Sequence, residues 1–423
     1  MKGYEVLAKS LLGCADHISA IPGFPVTELA EATGASPVTA EKVAIEYALG
    51  HSLSGKRSAV IMKNVGLNAC ADPLIHATTQ GLRGGVVVVS GDDPAAIGST
   101  NAQDSRYFGE IGQLPVLEPG PKTCGRVVEA AFSASEQFSR VALIRVTPEL
   151  LFTEAAMEPV PRIKRTGRPA SPDLTMKGRA DRAAGLMPDM FAWSSGSDLN
   201  MIRGGIAGVG PVRGDSQIVT VYPPPRGLRE CLKVDEIGRP FVQEHRDLSP
   251  PEDIPEPETV QKRGFTRTFC RECPFLPVME ILKKKELSVI ADAGCSILAL
   301  NPPFKIAVAS YGLGTAIGVA AQSTRVALIG DYALIHSGIQ SLIDVYEKGT
   351  PLLCIVLDNR CMAMTGGQET PDPAVYISWA KPVRIKSSET NELTRHITFP
   401  DRPRTVIVEG TCPEGRHHEI MEC

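Results

Sequence analysis

The sequence predicts an α/β protein with two parallel-sheet domains joined by a reduced middle region. Three observations predict this. Apolar, β-branched runs alternate with helical stretches from 1 to about 150. Continuous apolar strands separated by helices mark a parallel sheet covered on both faces. The same alternation returns over 264–423, whereas over 151–263 proline and basic residues replace it. At roughly 150 residues per domain, 423 residues hold two or three domains.

In the first domain, 1–150, the small and apolar residues from Glu41 to Leu53 read as a helix. Strands follow at 58–62 and at 85–91, the second bounded by glycines. A helix at 130–138 leads into a strand at 141–146. The middle region, 151–263, begins with spacer-like proline segments. Arg162, Lys164, Arg165, Arg168, Lys177, Arg179 and Arg182 cluster there. They read as a solvated connector, with docking of an acidic partner as the alternative. A strand at 218–222 and a proline-rich acidic linker at 248–258 complete the region. The second domain, 264–423, carries strands at 288–292, 326–331, 352–359 and 404–410.

A net charge of -4 excludes a strongly basic nucleic-acid binder. No apolar run approaches the ~20 residues of a membrane helix. Met1–Glu5 opens no signal-peptide pattern, so a cytoplasmic protein is expected. Eleven cysteines, an odd number scattered along the chain, favour metal, cluster or free-thiol roles over a disulfide framework.

The strongest chemical signal is Gly330-Asp331, followed after 332–357 by Asp358-Asn359. Both pairs stand where an apolar strand runs out, and ligands of parallel sheets bind at strand C-termini. Mg²⁺ takes one or two protein oxygens together with phosphate oxygens. Asp331 offers a carboxylate and Asn359 an amide oxygen. Glycines beside them allow close backbone approach to phosphate.

The segment from Gly330 to Ile339, with Asp358-Asn359-Arg360-Cys361-Met362-Ala363-Met364-Thr365-Gly366-Gly367-Gln368, resembles the alpha subunit of indolepyruvate ferredoxin oxidoreductase. That is a thiamine diphosphate-dependent 2-oxoacid:ferredoxin oxidoreductase. Glu41-Lys42-Val43-Ala44-Ile45-Glu46, the stretch Met62 to Asn68, Ala71-Asp72-Pro73-Leu74 and the stretch Asn101 to Tyr107 are similar to it as well. The resemblance covers about 1–150 and 264–412, with a weak echo at 218–245. It implies two thiamine diphosphate-binding domains: 1–150 for the pyrimidine and 264–423 for the diphosphate. It implies Glu41 as the glutamate that activates the cofactor, with Glu46 as the other candidate. Gly330, Asp331, Asn359, Gly66, His336 and Ser337 are the implied cofactor-binding residues, Asp331 and Asn359 through Mg²⁺.

The family's substrate loop reads approximately Tyr-Pro-Gly-Thr-Pro, and here it is Ile21-Pro22-Gly23-Phe24-Pro25. Two polar side chains are replaced, including the threonine expected to touch the 2-oxoacid. Cys270 and Cys273 form a CxxC pair, Cys295 follows a strand, and Cys412 follows the last one. Four thiolates hold a [4Fe–4S] cluster or a structural zinc ion, and unligated thiols are the third option. The resemblance favours the cluster at Cys270, Cys273, Cys295 and Cys412. The family's usual alpha subunit ends in a ferredoxin-like segment with two dense cysteine runs, absent up to Cys423. Electrons are then expected to leave through a beta-type subunit or a separate ferredoxin, in a dimer or hetero-oligomer. The implied activity is oxidative decarboxylation of a 2-oxoacid, with an indolepyruvate-like aryl substrate as one candidate. A non-oxidative decarboxylase or lyase and a non-catalytic subunit are the alternatives.

Overall fold

The computed structural model describes residues 1–100, 103–158, 160–199, 221–222 and 253–413. Contacts divide the chain into two compact units. The first holds residues 1–170 and 176–257, the second 171–175 and 258–423.

The first unit is built on β1 (His17–Ile21), β2 (Ser36–Pro37), β3 (Ser58–Lys63), β4 (Val86–Gly91), β5 (Val116–Leu117) and β6 (Ala142–Val146). They run parallel in the order β2-β1-β3-β4-β6-β5, and β7 (Val221–Tyr222) lies antiparallel beside β5. Ile61, Val89 and Ile144 share one register across the central strands. They pack with Leu7 and Leu11 of the helix Gly3–Cys14 and with Val128 and Phe132 of the helix Val127–Phe138. The intervening Val60, Val88 and Leu143 are buried as well. Burial on both faces is why these strands read as unbroken apolar runs.

The second unit is built on β8 (Val289–Ala291), β9 (Ala307–Ala309), β10 (Val326–Gly330), β11 (Leu353–Asp358), β12 (Val383–Lys386) and β13 (Arg404–Glu409). All are parallel, in the order β12-β13-β11-β10-β8-β9. Leu328, Ile355 and Val406 align across β10, β11 and β13 and face Met279 and Leu282 of the helix Leu276–Lys284.

Apart from β7 at an edge of the first sheet, the strands expected from sequence are inner ones. Those the sequence reading missed are β1, β2, β5, β9 and β12. β12 and β9 are the two edges of the second sheet, and β12 is only partly buried. β1 exposes more of its surface than β3 or β4. Half-buried strands carry polar residues, which hides the apolar run.

The basic segment is used structurally. Arg162 pairs with Asp16 at 2.8 Å, Arg165 donates to Gln137, Arg179 to Gln80, and Arg182 to the carbonyl of Arg168. Helices Met176–Gly185 and Met187–Ser195 follow, also in the first unit. The strand expected at 218–222 is seen at Val221–Tyr222. Otherwise the echo at 218–245 and residues 248–252 of the linker at 248–258 lie outside the described residues. Among the described residues no helix is long and apolar enough to cross a membrane.

A buried ion cluster fixes the first unit's helix layer. Arg57 pairs with Glu129 at 2.7 Å and with Glu136 at 2.8 Å, and also donates to the carbonyl of Ile163. Glu129 and Glu136 share a face of Val127–Phe138 with Phe132, whose ring lies 5.1 Å from the guanidinium carbon.

His17 and His51 stack with ring centroids 3.7 Å apart. Burial, the facing His17 and Lys56 push His51 down to about 4, against the smaller pull of Asp16. The unfolded chain takes up this proton near pH 6.5 and the folded chain does not, so stability falls as pH drops from 6.5 to about 4. We expect His51→Gln to flatten that part of the urea-midpoint-versus-pH curve. An unchanged slope would show that other groups set it.

Candidate functional site

Strand order places the principal site. From β8 the chain crosses outward to β9, and from β10 it crosses the other way to β11. The crevice between β8 and β10 is therefore a topological switch point, where open α/β sheets bind ligands.

Asp292, at the end of β8, is fully buried. Its two oxygens accept backbone N–H bonds from Gly314 at 2.7 Å and Ala316 at 3.0 Å. These bonds fold 312–314 over the strand end. Gly314 has φ +74, and a Cβ there would lie 2.7 Å from the nitrogen of Gly338. Ser337 Oγ donates to the carbonyl of Leu313 at 2.8 Å and locks the same turn.

Asp331 opens a helical run continuing through a π-turn, Leu334–Gly338, into Ile339–Glu347. Its carboxylate is buried. Oδ1 accepts from the Tyr332 N–H at 2.7 Å and Oδ2 from the Thr370 hydroxyl at 2.6 Å. Each oxygen keeps further acceptor capacity. Asn359 follows β11, which pairs with β10. Its Oδ1 accepts from the Cys361 N–H at 3.2 Å and its Nδ2 donates to Cys412 Sγ at 2.9 Å. Burial raises the Asp358 carboxyl against the opposing pull of Arg360, whose Nε lies 2.9 Å from Asp358 Oδ1.

These elements enclose a cavity of about 330 Å³. Gly294, Cys295, Gly330, Asp331, Asn359 and Cys361 line it, with an apolar wall of Phe275, Leu313, Leu357, Met362 and Met364. A Cβ on Gly294 or Gly330 would meet nothing within 4 Å, so the backbone borders open space. Among the described residues lining it there is no lysine or arginine. A diphosphate here needs its own cation, and a carboxylate with an amide oxygen is a donor set for Mg²⁺. The residues present fit that pair. His336 and Ser337 are not in the wall. His336 is exposed and Ser337 acts through Leu313.

Cys270, Cys273, Cys295 and Cys412 line one small pocket. It shares Phe275, Cys295, Ala363 and Met364 with the cavity. Burial, then neighbouring thiols, pushes Cys273 and Cys295 up to about 12, and burial raises Cys412. A metal centre among such thiols reverses the shift. Among the described residues no three His, Cys, Asp or Glu are grouped to hold one metal ion. No described cysteine is disulfide-bonded. Cys354 is buried in β11, and Cys14, Cys70 and Cys124 are buried in the first unit.

In the first unit, Glu41 begins the helix Glu41–Leu53 and is half-buried. Gly66 lies against it, since a Cβ at 66 would stand 2.7 Å from the Glu41 carboxyl carbon. Glu46 is fully buried and paired with Lys42 one turn back. Ile21–Pro25 follows β1. Phe24 stacks on Phe152 at 6.4 Å, so the altered loop packs by apolar contact. Asp92 at the end of β4 binds Arg145 at 2.6 Å and the Ser105 N–H at 2.8 Å, which pins 104–107 across the strand ends.

Sequence reasoning missed Asp292 as a brace, Thr370, and the apolar wall. Asp292 had a signal, since it ends an apolar strand. Thr370 had none, because only the loop geometry brings it to Asp331.

A model of the thiamine pyrophosphate enzyme C-terminal TPP-binding domain matches residues 299–386, which include Asp331 and Asn359. Indolepyruvate oxidoreductase subunit IorA of Methanothermobacter thermautotrophicus is 26% identical over 86% of this chain and 75% of its own. IorA of Archaeoglobus fulgidus is 24% identical over 87% and 76%. A putative thiamin diphosphate-dependent enzyme from Mycobacterium smegmatis superposes with a TM-score of 0.59 at 14% identity, covering 98% of this chain and 100% of its own. The 4-hydroxybenzoylformate decarboxylase of Rhodococcus jostii gives 0.58 at 14%, with the same coverage. These two share the fold.

Gly314→Ala should destabilise the chain by about 2–4 kcal/mol, from overpacking and a left-handed backbone. Urea unfolding measures this, and a loss under 1 kcal/mol would refute the tight turn. The chain is similar to indolepyruvate oxidoreductase subunit IorA over most of its length, and its residues 299–386 match a thiamine pyrophosphate-binding domain.

Proposed function

We propose that the chain is a subunit of a thiamine diphosphate-dependent enzyme that oxidatively decarboxylates a 2-oxoacid and passes the electrons to ferredoxin. One observation carries this reading. Four cysteines meet in a pocket that shares its wall with the Asp331–Asn359 cavity. A non-oxidative lyase needs the cavity but not the thiols beside it.

Bound thiamine diphosphate supplies a carbon nucleophile and an electron sink. The second unit binds the diphosphate end. There Asp331 and Asn359 hold Mg²⁺, and the open backbone at Gly330 leaves room for phosphate oxygens. The first unit takes the pyrimidine, and Glu41 holds and moves a proton at its carboxylate. Gly66 leaves the space in which that carboxylate stands. Phe275, Leu313 and Met362 keep water from the reacting end. Cys270, Cys273, Cys295 and Cys412 hold a [4Fe–4S] cluster. Its place beside the cavity supports electron transfer out of the cofactor site. The relatives' name supports an indolepyruvate-like aryl 2-oxoacid and a second, beta-type subunit in a hetero-oligomer. The apolar wall suits an aryl side chain.

Protein purified without oxygen is expected to contain iron, sulfide and thiamine diphosphate, and to reduce ferredoxin with indolepyruvate when its partner subunit is present. Aldehyde release without an electron acceptor, from iron-free protein, would establish the lyase instead. Asp331→Ala is expected to weaken Mg²⁺–thiamine diphosphate binding by at least about 10–100-fold, judged by calorimetry. Unchanged affinity would remove Asp331 from the site.

A further inference from the structure

Residues 361–369 form a hairpin whose inner side is part of the cavity wall. Cys361 bridges Glu369 in antiparallel fashion, and the Met362 N–H donates to the carbonyl of Gln368 at 2.8 Å. Beyond that pair, the tip is held by its own turn. The Thr365 and Gly367 N–H groups both donate to the carbonyl of Met362. Gly366 and Gly367 have positive φ, and Met364 at the tip is 42% exposed although it borders an apolar cavity.

The base of the hairpin is different. Arg360 is pinned by Asp358 at 2.9 Å and Asp372 at 2.8 Å. The Thr370 N–H donates to the carbonyl of Arg360 at 3.0 Å. The Thr370 hydroxyl, on a side chain that is buried, donates to Asp331 Oδ2 at 2.6 Å. A hydrogen bond to an ionised carboxylate is short and strong.

We propose that Thr370 is a positioning residue that couples filling of the Asp331 site to closure of the 361–369 hairpin over the cavity. The inference rests on the thiamine diphosphate reading and deepens it. Thr370 fixes one oxygen of Asp331 and leaves the remaining lone pairs to a cation. A cation that draws on the carboxylate acts on the donor bound to it, and that donor is the base of the hairpin. Valine at 370 keeps the shape and deletes the donor, whereas serine keeps the donor.

The test is hydrogen exchange across 361–369 in the full chain, with and without Mg²⁺ and thiamine diphosphate, alongside calorimetric binding. In the unaltered protein, Mg²⁺–thiamine diphosphate should slow exchange in the hairpin. Thr370→Val should still bind, about 10-fold more weakly, and lose the hairpin response. Thr370→Ser should restore it. A full response in Thr370→Val, or a bound cofactor with no response in the unaltered protein, overturns the inference alone. Failure of the unaltered protein to bind Mg²⁺–thiamine diphosphate overturns the functional reading and this inference with it.

Discussion

Asp292 and Asp331 end adjacent parallel strands, and the structure depends on how differently their carboxylates are satisfied. Asp292 is consumed by two backbone donors, Gly314 and Ala316. It closes one lip of the crevice and aims Leu313 at the cavity. Without it, two buried N–H groups lose their acceptor, at about 1–3 kcal/mol each. Asp331 accepts one bond on each oxygen and keeps capacity for a cation. One aspartate therefore builds the crevice and the other remains chemically available. Neither role would follow from the residue type alone.

The same logic runs through the first unit. Arg57 with Glu129 and Glu136, and Arg145 with Asp92, bury charge in pairs. Such pairs add little net stability over a well-packed apolar set, but breaking one costs about 3–5 kcal/mol. They fix geometry more than they add stability. Arg145 and Asp92 hold the 104–107 segment across the ends of β4 and β6. Glu46 is likewise held by Lys42 inside the helix, whereas Glu41 stands at the helix start over Gly66.

Inner strands were legible in the sequence because burial on both faces makes them continuous apolar runs, as in β4 and β11. Edge strands such as β12 were not, since exposure admits Arg384 and Lys386. Gly330-Asp331 and Asp358-Asn359 were legible for a related reason: each follows such a run directly. The cysteines at 270, 273, 295 and 412 were grouped by resemblance, and the fold puts all four on one pocket. His336 and Ser337 show the limit. The helical run after Asp331 carries them past the wall, and Ser337 reaches the cavity only through its bond to Leu313. Thr370 lay beyond local pattern altogether, because a hairpin brings it back to Asp331.

The charge balance of the second unit's cavity constrains its chemistry most tightly. Its wall is largely apolar, and no lysine or arginine is among the described residues lining it. Arg360 stands nearby but is bound to Asp358 and Asp372. A polyanion entering this space meets one buried carboxylate and no protein cation. Its negative charge then needs a counter-ion, and a divalent ion is the chemistry that supplies one. The adjoining thiols obey the converse rule. Buried together they stay protonated, and only a cationic centre among them makes thiolates favourable. The two pockets therefore differ in charge: one presents a buried carboxylate, the other neutral thiols. Because they share Phe275, Cys295, Ala363 and Met364, whatever fills one pocket sets the packing of the other.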